Sequence, residues 1–272
     1  MAASVLATLP VRGLLVHGPH PHEHLSAAAC IKKYAVAQFR EDVQLLPFFR
    51  TIPEADRTFV ELGALDGWHG SNTLMLERCF GWTGLLIEAS PHNFRNLQRS
   101  GRRAQLAHSA VCRGNGTVTL MEGAHLSTQL DRSDPAYNGQ YFEYVHKFGF
   151  DGEQNLTRTV TVPCRSLTEL MQGAGLPRAA FLSLDVQGAE EQVIRSVDPR
   201  AFQLICVEVD DWRPEEAAKN RRVEERILAS GMVRANSTLD VIYLSKVFVR
   251  PETGWGAKGG SSRVRARTFN RG

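Results

Sequence analysis

From residue 58 onward, short apolar runs alternate with longer stretches of helical spacing. TFVEL (58–62), GLLIE (84–88), QLAHSAV (105–111), AFLSLD (180–185) and QLICVEV (203–209) read as strands. The intervals 71–80, 91–100, 188–197 and 214–230 carry apolar residues at helical spacing and read as helices. A repeated order of strand, turn and helix predicts a mostly parallel sheet covered by helices on both faces. The near-continuous apolar runs FLSLDV and LICVEV suit strands buried on both sides. Two later runs, MVRANST (232–238) and DVIYLSK (240–246), are too close for a parallel crossover and predict an antiparallel pair that closes the sheet. GTVTLM (116–121) and RTVTVP (158–163) alternate threonine with valine and predict a further strand pair. Residues 26–50 show helical spacing throughout and predict one amphipathic N-terminal helix.

Composition sets the frame. A chain of 272 residues, 43% of them hydrophobic, can bury one large core. The expected organisation is a leader over 1–25, one domain over 26–253 and a flexible basic tail over 254–272. Residues 122–156 form an insertion too long and polar for an ordinary connection, as lids and binding loops are. The net charge of +3, with acids and bases interleaved, predicts no nucleic-acid partner. No apolar run approaches 18 residues, so no integral membrane segment is expected. Cysteines 30, 79, 112, 164 and 206 include no C-x-x-C pair. Their odd number, without an evident framework, predicts a reducing, cytoplasmic location, an organellar or secretory route being the alternative. Three N-x-[ST] sequons, at Asn115, Asn155 and Asn236, stand against it. The cluster His17, His20, His22 and His24 is interleaved with proline and glycine outside the core, and no functional metal site is expected there.

The chemistry concentrates where strands end, because ligands of open α/β sheets sit at the carboxyl ends of their strands. Those ends carry Glu61, Glu88, Asp185 and Glu208. After Glu61 comes the glycine-rich loop ELGALDGWHGSN, which leads into a helix. It is not a phosphate loop, since no lysine follows, nor a dinucleotide fingerprint, since Leu65 fills the middle glycine position. An NAD-dependent oxidoreductase is disfavoured for the same reason. An acid ending the second strand suits a ribose diol. Two carboxylates near one ligand favour a cationic nucleoside and would repel a diphosphate. S-adenosylmethionine fits both requirements.

FVELGALDGWHGSNTLMLE, GWTGLLIEASP, FLSLDVQGAEEQVI and LICVEV together resemble the FkbM-type methyltransferases, in their eukaryotic branch. The resemblance runs over residues 55–250. It implies a class I, Rossmann-like α/β fold with an antiparallel closing strand and S-adenosylmethionine as cofactor. By that resemblance Glu61, Gly63 and Gly67 match the first cofactor loop, Glu88 the ribose acid and Asp185 the central aspartate. The expected cofactor-binding set is Glu61, Gly63, Ala64, Asp66, Gly67, Ser71, Glu88, Ala89, Ala110 and Asp185. One departure is visible: where the family reads D-V-E-G-A-E, Gln187 replaces the first glutamate and removes a charge beside the active face. Asp185 is the leading candidate for the base or acceptor-orienting group, with Glu208, Asp210 and Asp211 facing the acceptor. His69 is a second candidate base, and Glu190 a holder of the loop. The expected reaction is O-methylation of a sugar or small-metabolite hydroxyl, the acceptor being a small molecule or glycan. The alternative is a catalytically inactive interaction or trafficking protein on the same fold.

Overall fold

The structure is a computed structural model that describes residues 15–17, 25–122, 127–130, 159–209, 214–235 and 245–253. Its elements are β1 (Leu15–His17), α1 (Ala27–Tyr34), α2 (Glu41–Gln44), α3 (Leu46–Phe49), β2 (Thr58–Leu62), α4 (Leu74–Phe80), β3 (Thr83–Glu88), α5 (Pro91–Arg99), β4 (Gln105–His108), β5 (Ala110–Val111) and β6 (Gly116–Met121). They continue with β7 (Thr128–Gln129), β8 (Thr159–Arg165), α6 (Leu167–Gly173), β9 (Ala179–Leu184), α7 (Glu190–Arg195), β10 (Phe202–Glu208), α8 (Pro214–Ala229), β11 (Val233–Arg234) and β12 (Ser245–Val249). Short 3-10 turns complete the described residues.

The main sheet runs β1-β4-β3-β2-β9-β10-β12-β11. Its five central strands, β4 to β10, are parallel, and β1, β12 and β11 join antiparallel. This is the doubly wound, antiparallel-closed sheet expected of the class I methyltransferase fold. Each central strand sends alternate side chains to opposite faces. Phe59, Leu86, Leu106, Phe181 and Leu204 build one core with α1 to α5. Val60, Leu85, Leu182, Ile205 and Val207 build the other with α6, α7 and α8. Phe59 and Phe181 are in register across β2 and β9, and Phe49 meets Phe181 edge-on at 5.0 Å.

Four expectations need correction. The N-terminal segment is not one helix but α1, α2 and α3. The Asp42 carboxylate accepts from the Ala37 N–H and Glu41 from the Phe39 N–H, while Arg40 sits at φ 63°. These acids capture N–H groups that a continuous helix would pair with its own carbonyls. The run 105–111 divides between two sheets, since β5 leaves the main sheet to pair with β8. The closing strand begins at Ser245, later than expected; Asp240 to Leu244 of that run lie outside the described residues. Finally, α6 was not anticipated, although Ser166 and Glu169 form a capping box at its start.

The cysteines do have a framework. Cys30 of α1 pairs with Cys79 of α4, and Cys112 after β5 pairs with Cys164 of β8. Cys206 is free and buried. Burial raises its thiol pKa, as suits the small hydrophobe the sequence suggests. Among the described residues no helix is long and apolar enough to cross a membrane. Of the expected histidine cluster, only His17 falls within the described residues.

The central aromatic contact sets a stability expectation. Phe181→Ala should destabilise the fold by ~3–5 kcal/mol, because a fully buried ring is lost from the core between the main sheet and the α1 to α5 side. Chemical denaturation monitored by circular dichroism measures it, and a loss below ~1 kcal/mol contradicts the packing described.

Candidate functional site

A cavity of about 380 Å³ opens at the carboxyl ends of β2, β3, β9 and β10. That volume is within the range of small-molecule sites. Of the residues singled out in the sequence, Glu61, Gly63, Ala64, His69, Ser71, Glu88, Ala89, Ala110, Asp185 and Glu208 line it. Asp66 and Gly67 do not. Asp210 and Asp211 lie outside the described residues.

The first loop explains its own composition. Gly63 has φ 74°, and a Cβ there would lie 1.8 Å from the Asp185 carbonyl oxygen. Only glycine permits this close approach of β2 and β9. The N–H groups of Gly63 and Ala64 both reach the Ile87 carbonyl. Leu65 also adopts a left-handed conformation, φ 51°, and its N–H donates to Glu88 Oε2 at 2.8 Å. Asp66 caps the next turn: its Oδ1 accepts from Trp68 and His69 N–H, and Oδ2 lies 2.5 Å from His69 Nδ1. Burial pushes the Asp66 carboxyl up, but the His69 side chain and these two N–H groups outweigh it and hold the pKa below the usual value. The His69 side chain is 84% exposed at the cavity rim.

Glu61 lines the cavity with both of its oxygens already engaged by the loop. It accepts from Ser71 Oγ at 2.9 Å, Asn72 N–H at 2.8 Å and Thr73 Oγ1 at 2.5 Å. The carboxylate therefore pins the loop before α4, which is why the helix starts at Leu74. Behind it stands Arg102, fully buried and not anticipated from the sequence. Its guanidinium donates to the Gly67 carbonyl at 2.7 Å, Thr73 Oγ1 at 2.8 Å, Ser71 Oγ at 3.1 Å and Glu77 Oε2 at 3.2 Å, and lies 3.9 Å from Glu61. The sequence Arg102-Arg103 after a Ser-Gly turn reads as surface, so nothing local marked it.

Glu88 ends β3 with both oxygens held in place: Oε1 accepts from Ser90 N–H at 2.7 Å, and Asn93 adds a side-chain hydrogen bond. Burial nonetheless lifts its pKa to about 7. The folded chain thus favours its neutral form. Its contribution to stability is present at acid pH and is lost as pH rises through about 7.

At the far end of the cavity, Asp185 and Glu208 face each other. Gln187 Nε2 donates to Asp185 Oδ1 at 2.8 Å and to Glu208 Oε2 at 3.2 Å. Burial raises the Asp185 pKa; hydrogen bonds to Glu208 and Gln187 oppose that, and the nearby Glu190 charge adds to it. Gln187 is itself left-handed, φ 49°, and its carbonyl accepts from Thr128 Oγ1 at 2.7 Å. Glu190 faces away: it accepts from the Gly188 N–H and pairs with Lys219 at 3.0 Å, holding the loop as anticipated. Asn72, Asn93, Ser109, Gln129 and Ser183 also line the cavity, and nothing local marks them beyond their proximity to the strand ends. Asn72 Oδ1 is buried with no hydrogen-bond partner among the described residues.

Residues 61–234 match the Methyltransferase FkbM domain family. No curated protein matches the chain. The solved structures with distant similarity include two that cover most of this chain. One is the fibrillarin pre-rRNA processing protein of Methanococcus jannaschii, at 12% identity and TM-score 0.34, covering 76% of this chain and 70% of that one. The other is an O-methyltransferase from Bacillus cereus in complex with SAH, at 13% identity and TM-score 0.36, covering 82% and 86%.

Removing the charge behind the first loop should be costly. Arg102→Leu should lose ~3–5 kcal/mol, since it takes the paired cation from buried Glu61 and the nearest of the cations around buried Glu77. The exposed Arg99→Ala should stay within ~0.5 kcal/mol. Parallel urea denaturations decide it, and similar values for the two variants contradict this account.

Proposed function

Because the chain belongs to the FkbM methyltransferase domain family, we propose that the cavity holds S-adenosylmethionine and directs its methyl group to a hydroxyl of a sugar or other small metabolite. One observation carries this reading: a single cavity joins the oriented carboxylate of Glu88 at one end to the Asp185–Gln187–Glu208 cluster at the other.

The residues present fit the cofactor. Glu88, fixed by Leu65 and Ser90 N–H groups, suits a ribose diol. The backbone of Gly63 to Leu65, with Ala89 and Ala110, walls the same end. Asn72 Oδ1 is a free buried acceptor for an ammonium group. Glu61 acts through the loop, together with Ser71, Asp66 and Gly67, and is not a direct ligand in this reading. When bound, the cofactor supplies an electrophilic methyl on a positively charged sulfur.

The acid pair does the rest. Asp185 and Glu208 are bridged by the Gln187 amide, and Asp185 is the carboxylate placed to serve the acceptor. That carboxylate orients the acceptor hydroxyl and takes its proton as the oxygen attacks. Gln187 holds the two acids apart by one donor to each, a role that a glutamate could not fill without adding a third negative charge. Thus the departure at 187 leaves the pair intact. His69 is too exposed and too tightly held by Asp66 to serve as the base.

Two measurements test the reading. Calorimetry with S-adenosylhomocysteine should show binding by the wild type and its loss in Glu88→Ala. Because the diol donates to an ionised carboxylate, affinity should weaken roughly tenfold per pH unit below about 7, and Glu88→Gln should flatten that dependence. Absence of binding by the wild type sinks the enzyme and leaves the interaction-protein reading. The second measurement follows labelled methyl transfer to a panel of sugars and hydroxylated metabolites. Asp185→Asn should lower turnover by ~10²–10⁴ while cofactor affinity changes little; unchanged turnover removes Asp185 from the chemistry.

A further inference from the structure

Two features lie outside the candidate site and point the same way. The first is the pairing of four of the five cysteines. The two cystines join residues 49 and 52 positions apart, at separate places in the fold, with Cα–Cα distances of 5.7 and 5.8 Å. Bonds between such distant, well-placed partners persist in oxidising compartments, whereas the cytosolic thiol pool keeps cysteines reduced.

The second is the sequon Asn115-Gly116-Thr117. Asn115 lies in the turn between β5 and β6, Gly116 and Thr117 begin β6, and every residue from Arg113 to Thr117 is exposed. Asn115 Nδ2 donates to Glu169 Oε1 at 3.1 Å in a solvent-facing contact. A carboxamide nitrogen carries two protons, so Glu169 can keep one while the other is replaced. The two features meet at the root of this turn. Cys112, bonded to Cys164, immediately precedes it, and Gly116 lies opposite Cys164 in the β6–β8 ladder. No residue from 112 to 119 lines the cavity. A group attached here therefore displaces nothing in the candidate site. The other two sequons lie outside the described residues.

We propose that this chain folds oxidised in a secretory compartment and carries an N-linked glycan on Asn115. Each cystine forms by exchange with an oxidised dithiol carrier, which accepts the two electrons and two protons of the thiol pair. In the glycosylation step, Asn115 Nδ2 bonds to the anomeric carbon of a lipid-diphosphate-linked oligosaccharide. The carbon–oxygen bond to the diphosphate breaks, its electron pair leaves with the lipid diphosphate, and one amide proton is released. This reading takes the secretory alternative to the cytoplasmic expectation and does not depend on the methyltransferase activity.

The test uses the full chain, expressed in eukaryotic cells behind an added secretory signal. Asn155→Gln and Asn236→Gln are introduced together, so that one sequon remains. The expected result is a glycosidase-sensitive mobility shift that disappears on further adding Thr117→Ala, a change that keeps Asn115 and its contact with Glu169. Maleimide labelling of the same denatured, unreduced material should find one thiol, Cys206. The proposal is overturned if the single-sequon chain shows no such shift, if the shift survives Thr117→Ala, or if more than one thiol is labelled.

Discussion

The guanidinium of Arg102 is the constraint on which the site rests. It brings a positive charge into a place with no exposure, between two carboxylates and a glycine carbonyl. A buried cation is tolerated only when its donors are satisfied and its charge is matched, and here both conditions hold. The consequence travels along the chain. Because Arg102 matches Glu61, that carboxylate can be buried; because Glu61 is buried, it can gather Ser71, Asn72 and Thr73. Gathering them sets where α4 begins and where Asn72 presents its free oxygen. Gly63 then brings this loop against Asp185, and Leu65 passes it to Glu88. Both ends of the cavity are thus positioned by one loop, which is itself positioned by a charge that never reaches the cavity.

Both acidic ends are shifted by burial. Burial lifts the Glu88 pKa to about 7, although four hydrogen bonds favour its ionised form. Burial likewise raises the Asp185 pKa. At both places a nearby positive charge, such as that of a cationic nucleoside, would favour the ionised carboxylates. This gives a physical reason for clustering acids around a sulfonium: their burial is least costly with the ligand bound. Gln187 limits the cluster to two acids, and its amide spans them.

Much of this was legible in the sequence, and the reasons are specific. The parallel strands are uniform apolar runs, so their existence and order follow from periodicity. The acids at their ends are visible because a carboxylate after such a run has few packing explanations. What was not legible depends on contacts between distant residues. Arg102 stands in a polar, basic stretch and becomes buried only because β4 brings it under the first loop. The cystines join positions about fifty residues apart, and no local spacing announces them. The break after α1 arises because Glu41 and Asp42 fold back onto backbone N–H groups, whereas the apolar spacing continues through it undisturbed. The start of α6 is different. Ser166 and Glu169 state it openly, and it was obscured by the short interval between two strands.

The second sheet, β5-β8-β6-β7, gives the site its remaining wall. It contributes Ala110, Leu120 and Gln129 to the cavity. Its strand β7 lies within the long insertion that the sequence marks as a candidate binding loop. That strand does more than line the space. Thr128 donates to the carbonyl of Gln187, the residue whose amide spans Asp185 and Glu208. Gln187 is held left-handed, a conformation that costs a non-glycine residue on the order of 1 kcal/mol and persists only where its surroundings enforce it. The Thr128 contact is one such enforcement. A rearrangement of the insertion around an acceptor would therefore act on the backbone that sets the spacing of the acid pair. The described part of the insertion is thus joined, through Thr128 and Gln187, to the two acids that the proposed reaction would use.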